Sequence, residues 1–190
     1  MVVIRFALIE SVYGNLLFWL PYFYISVGSS EFSMLSLLTC CGSITIGGLI
    51  IEVILFESCN LEKHSHKLCY LFLTISCAAY AMIWFERSSQ PQLHILLLAI
   101  SNFFMSSPYS RISSSEPIEE SDNNPHKIKL VFLLAHLFRN ITIATCVLII
   151  GFVMKINPTY FWHVVFANVV LAFIVESWRK LCMGRKNGEN

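Results

Sequence analysis

Six stretches of this chain are each long and apolar enough to cross a lipid bilayer, and little lies between them. They cover residues 2–27, 34–56, 68–85, 93–112, 128–154 and 160–178. The hydrocarbon core of a bilayer is about 30 Å thick, and a helix rises about 1.5 Å per residue, so roughly 20 apolar residues suffice. Three connections are short, at 28–33, 87–92 and 155–159, and two are longer, at 57–67 and 113–127. The segments are continuous apolar runs. Strands of a membrane barrel would instead alternate over about ten residues. The expectation is an all-α membrane protein with a single six-helix domain over 1–190.

Composition excludes the other classes. Hydrophobic residues make up 56% of the chain and charged residues 13%, against about 25% charged in soluble domains. Thirteen Lys and Arg nearly balance twelve Asp and Glu, so no basic field exists to hold nucleic acid. The first segment is long, is interrupted by Glu10 and Pro21, and carries no small-residue cleavage site. It reads as a retained helix rather than a signal peptide. With six spans, Arg5, Lys63, Lys67, Arg111, Lys127, Lys129, Arg179, Lys180, Arg185 and Lys186 fall on one side, and Arg87 and Lys155 on the other. That bias predicts both termini in the cytoplasm. No organelle address is legible, so the membrane stays unassigned between endoplasmic reticulum, plasma membrane and other organelles.

Seven cysteines show no Cys-x-x-Cys pair and lie mostly within apolar runs. They read as small packing residues, not as a disulfide framework. Cys59, His64, His66 and Cys69 are four potential zinc ligands, but their spacing fits no standard zinc module. No metal and no cofactor is expected. A polar, acidic stretch over 113–125 reads as a solvated loop. Asn140 and Thr142 match a glycosylation pattern at a depth where no enzyme could reach them. No metalloprotease motif, nucleophile elbow or phosphate-binding loop occurs, so an enzyme is not expected.

Four local patterns occur in a fixed order. The first helix carries Tyr13, Trp19-Leu20-Pro21, Tyr22 and Tyr24. The second carries Gly47-Gly48 and then Glu52. The fourth ends on Ser107-Pro108-Tyr109, and His126-Lys127 precede the fifth. Together they resemble the C-terminal half of a sugar-phosphate exchanger, an organophosphate:phosphate antiporter of the major facilitator superfamily. The resemblance covers nearly the whole chain. It implies half of an alternating-access antiporter that moves a phosphorylated small molecule against phosphate. The partner would be a second six-helix half or a second copy, within the lipid bilayer. It also implies that the first, second, fourth and fifth helices line the central cavity. The sequence departs from the family at Glu52, where an Asp is usual, before Pro108, where a Gly is usual, and at Arg139, where an acid is usual.

Transporter sites lie near the bilayer midplane. Counting depth along each helix places Tyr13, Asn15, Asn102, His136, Arg139 and Asn140 there. Arg139 stands out, because a charge at mid-bilayer costs at least about 2.5–3.5 kcal/mol and must face protein or water. Its planar fork of donors suits phosphate oxygens. The plainer reading is an ion pair with an acid of the same bundle. His136, three residues earlier on the same face, suits proton transfer or donation to phosphate. Glu10 reads as snorkelling or pairing with Arg5, with proton coupling as the sharper alternative. Glu52, by the resemblance, ties helix ends together and biases the inward- or outward-facing state. Gly47 and Gly48 let neighbouring helices approach closely. A second reading competes with transport: the half has lost activity and serves as a structural subunit of a larger membrane complex.

Overall fold

A backbone in hydrocarbon must satisfy its own polar groups, and a helix does so within one segment. The computed structural model describes residues 2–58, 65–85, 91–113, 118, 121 and 124–188, and all their regular structure is helical. The helices are α1 (Val2–Ser26), α2 (Glu31–Gly48), α3 (Ser65–Phe85), α4 (Pro91–Ser113), α5 (Pro125–Ile156) and α6 (Tyr160–Gly188). A π-helical stretch, Leu49–Ser58, continues α2 beyond its glycine pair. The largest departure from the expected spans is α6, which runs ten residues past 178. Five helices are long and apolar enough to cross a membrane. The exception, α4, has the length, but Ser101, Asn102, Ser106, Ser107 and Arg111 lower its hydropathy. All five are buried against protein.

The helix ends follow local chemistry. Gly28 takes φ +77°, and after it the Ser29 N–H reaches back to the Tyr24 carbonyl at 2.8 Å. With Gly28 N–H donating to Ile25, this is a Schellman ending, which favours glycine at that position. Asn124 caps α5, its side-chain oxygen accepting from the His126 and Lys127 N–H groups at 3.0 and 3.3 Å, with Pro125 as the first helical residue.

Pairs of contacting residues fix the directions. Phe6 meets His136, Glu10 meets Arg139, Gly14 meets Ile143, and Trp19 meets Gly151. Numbers rise together, so α1 and α5 run parallel. Cys40 meets Asn102, and Gly47 meets Phe103 and Ser106, so α2 and α4 also run parallel. In contrast Arg5 meets Glu176 while Phe23 meets Phe161 and Trp162, which makes α1 and α6 antiparallel. This is the alternation that six successive crossings require.

Part of the packing repeats. The strongest pairings are α2 with α4 and α1 with α5. Exchanging the first three helices for the last three turns one pairing into the other. It likewise turns the α3–α4 pairing into α1–α6 and leaves α1–α4 and α3–α6 in place, all of which occur, whereas the α1–α2 and α5–α6 pairings have no comparable counterpart in α4–α5 and α2–α3 among the described residues. Glycines respect it too. Gly47 of α2 lies under α4, and Gly151 of α5 lies under Trp19 of α1. A Cβ on Gly47 would stand 2.5 Å from the Phe103 carbonyl oxygen, while one on Gly48 would meet nothing within 4 Å. The main core surrounds α1, with Val12, Leu16 and Leu20 fully enclosed. The least buried of the five apolar helices are α2 and α5.

Candidate functional site

The face of α1 that meets α5 is built from residues three and four apart. Glu10 and Gly14, one helical turn apart, share it, and Tyr13 stands beside it toward α4. Arg139 and Ile143 share the facing stripe of α5. The Arg139 guanidinium lies 3.8 Å from the Glu10 carboxylate, with the side chains 32% and 15% exposed. Its Nε also donates to the neighbouring Asn140 side-chain oxygen at 3.2 Å. Tyr109, from the last turns of α4, lies beside both Glu10 and Arg139. Its ring meets Tyr13 edge to face, with centroids 5.0 Å apart. The Tyr13 hydroxyl is buried and finds no hydrogen-bond partner among the described residues. Four side chains from three helices thus gather a carboxylate, a guanidinium and two phenols at one seam.

The residues expected at mid-depth divide into three groups. Tyr13, Arg139 and Asn140 come together here. His136 lies one turn away on the same seam, exposed, with its ring edge-on to Phe6 at 5.5 Å. Asn102 lies inside the bundle. It accepts from the Tyr80 hydroxyl at 2.9 Å and donates to the Cys40 sulfur at 3.1 Å, tying α3, α4 and α2 together. Its polar capacity goes into packing. Asn15 is fully enclosed, about 200° around α1 from Tyr13 by the helix pitch. Neither atom of its amide has a partner among the described residues. Glu52 belongs to the π-helical stretch, and its side chain lies outside the described residues.

Two pairings differ from expectation. Glu10 joins Arg139 rather than Arg5. Arg5 instead meets Glu176 of α6 at 2.5 Å, and Arg179 reaches the other oxygen of the same carboxylate at 3.4 Å. The spacing of Glu176 and Arg179, three apart on one helix, is a legible signal for the second half of that cluster. Nothing local in the sequence marks Tyr109 as a neighbour of Glu10.

Cys59, His64 and the side chain of His66 lie outside the described residues. Cys69 is buried, with its sulfur 3.6 Å from the Ser107 hydroxyl. No group of three or more metal-ligating side chains occurs among the described residues. The described cysteines are free thiols. Two of them, Cys40 and Cys146, receive a buried Asn amide, from Asn102 and Asn168. No family of known proteins, no curated protein and no solved structure matches this chain.

Proposed function

We propose that the chain is one half of an alternating-access antiporter of the major facilitator kind, exchanging a phosphorylated small molecule for phosphate. The observation that carries this reading is the partial packing exchange between the first and last three helices, in which α2–α4 answers to α1–α5. Three crossings per unit invert the second unit relative to the first, and nested inverted three-helix repeats are how each half of such transporters is built. The ordered motifs of the sequence support it, as does the pairing of α3 with α6.

In this reading the Glu10–Arg139 pair is the resting state of the site. A single contact of 3.8 Å, a third exposed on the arginine side, is far from the tight bidentate geometry that makes such pairs strong. A phosphate group offers more oxygens in a better arrangement and takes Arg139 from Glu10. Asn140 and the phenols of Tyr13 and Tyr109 supply further donors. The remaining wall of the cavity comes from a second six-helix half or a second copy, and both termini of this half face the cytoplasm.

Purified protein in liposomes tests it directly. Phosphate-loaded vesicles should take up labelled phosphate by counterflow, and Arg139→Ala should abolish this while Arg139→Lys retains part. Counterflow that is unchanged in Arg139→Ala removes this residue from the mechanism.

The Glu10–Arg139 pair also favours a second reading. A site whose one guanidinium is already neutralised has no net charge left for a phosphate dianion. A non-transporting half that serves as a structural subunit needs only that neutrality. It predicts no counterflow and stable co-purification with unrelated subunits, whereas a pair of halves is the assembly expected of a transporter.

A further inference from the structure

At the end of the bundle opposite the Arg5–Glu176 cluster lies a cavity of about 650 Å³. It is surrounded by the end of α1, the end of α3, the start of α4 and the turn between α5 and α6. That size is typical of small-molecule sites. Its walls are mainly rings, among them Phe23, Tyr24, Trp84, Tyr160, Trp162 and His163.

Three properties restrict what fits. First, polar atoms go unmet. Tyr24 and Trp162 are 1% and 5% exposed, and both line the cavity. Neither the Tyr24 hydroxyl nor the Trp162 indole N–H has a hydrogen-bond partner among the described residues, and the same holds for Nδ1 of His163. Buried polar groups left unpaired cost about 1–3 kcal/mol each. An indole N–H is a donor only, so its partner must be an acceptor. Second, no described residue lining the cavity is Asp, Glu, Lys or Arg. A ligand with a net charge would find no counter-ion among them. Third, the rings stand as walls at right angles. His163 is at 88° to Trp84 and 87° to Tyr160, with centroids 5.5 and 5.3 Å apart. Phe166 stacks on Trp84 at 13° and covers one indole face, so only the other can serve the cavity.

Boxes of aromatic rings hold quaternary ammonium groups by cation–π attraction, with no carboxylate required. The unmet donors ask for an anionic or strongly accepting oxygen on the same molecule. A zwitterion satisfies both demands and leaves no net charge. The cavity also lies at the helix ends, the level where aromatic residues meet lipid head groups. We propose that this cavity is a binding site for a phosphocholine group, with its trimethylammonium among the rings and its phosphate oxygens on Tyr24 and Trp162. The group could come from a phosphatidylcholine head group or from a soluble phosphocholine ester.

The test uses the full chain purified in a maltoside detergent, since a phosphocholine detergent would fill the site. Glycerophosphocholine, a phosphodiester with no net charge, titrated against intrinsic tryptophan fluorescence should give a saturable change, with Trp84 and Trp162 as reporters. Glycerophosphoethanolamine, whose primary ammonium is more strongly hydrated, should bind about tenfold more weakly. Tyr24→Phe and Trp162→Phe keep a ring and remove a donor, and each should weaken binding about fivefold. In a second arm, protein from nanodiscs of mixed phosphatidylcholine and phosphatidylethanolamine is examined by native mass spectrometry. Selective retention of phosphatidylcholine, lost in the two variants, assigns the head group as the source. A soluble titration that alone succeeds assigns a free ester. The proposal is overturned if neither arm prefers the quaternary over the primary ammonium, or if inorganic phosphate or a neutral sugar produces the same response. The comparison among probes uses the wild-type chain, so the test survives a variant that fails to fold.

Discussion

Replacing Glu176 with Ala should be among the most damaging single changes in this bundle, and the burial of its partners sets the size. Arg5, Glu176 and Arg179 are 2%, 3% and 7% exposed. One carboxylate serves both guanidinium groups, through Arg5 at 2.5 Å and Arg179 at 3.4 Å. Were the cluster on the surface, its loss would cost about 0–1 kcal/mol. Enclosed as it is, removing the carboxylate leaves two buried cations without their shared counter-charge. Breaking one buried pair in this way costs about 3–5 kcal/mol, because the desolvation already incurred is no longer offset. The expected loss for Glu176→Ala is therefore at least about 3 kcal/mol. Reversible denaturant titration in mixed micelles, followed by helical circular dichroism, reads this value. A triple variant, Arg5→Met with Glu176→Leu and Arg179→Met, separates charge from packing. It removes the ions together, and such replacements are often neutral or stabilising by about 1–4 kcal/mol. The reasoning is refuted if Glu176→Ala costs less than about 1 kcal/mol, or if the triple variant is as unstable as the single one.

The Glu10–Arg139 pair should behave in the opposite way. It is long and partly exposed, so Arg139→Ala should change stability by less than about 1 kcal/mol in the same titration, whatever it does to counterflow. Gly47→Ala places a methyl group 2.5 Å from a backbone oxygen, and it should cost about 1–3 kcal/mol through overpacking. Gly48→Ala, with open space around it, should be neutral or stabilising by up to about 1 kcal/mol; thermal melts of the two variants side by side check the contrast. Asn102→Leu removes the acceptor of the Tyr80 hydroxyl and the donor to the Cys40 sulfur, and it should cost about 1–3 kcal/mol. Adding Tyr80→Phe should recover part of that loss, which a double-mutant cycle measures.

The helical character and the long apolar helices were legible because hydrocarbon thickness acts on each segment alone. Rotation of each helix about its axis was not. A span that is apolar on every side carries no stripe to mark its inner face. Asn102 shows the consequence. Its depth could be counted, but only the packing of α3 and α2 against α4 shows that it faces Tyr80 and Cys40 rather than a cavity. The same limit explains the exchanged charges. From the sequence, Glu10 sits one turn beyond Arg5, and pairing them is the local solution. The fold sends them to different neighbours, because α1 is wedged between α5 and α6 and presents a different face to each.

That exchange has a physical consequence for assembly. Glu10 and Arg5 are made first, and their partners Arg139 and Glu176 come about 130 and 170 residues later. Until α5 and α6 are in place, Glu10 and Arg5 lack these two later partners. Each is tolerable only near the aqueous surface, since a mid-bilayer charge costs at least about 2.5–3.5 kcal/mol. Docking of α5 and α6 brings each charge the partner it has in the folded bundle, and α1 is expected to reach its full depth only then. The ionic contacts are therefore expected to act as late latches on the N-terminal helix. Chains truncated after residue 124 should hold α1 nearer the surface than the full chain does. Labelling of a cysteine placed at Ala7 by a membrane-impermeant thiol reagent measures this: fast in the truncated chain, slow in the full one. Equal labelling rates would mean that α1 reaches its depth without the later helices, and the latches would then contribute stability alone.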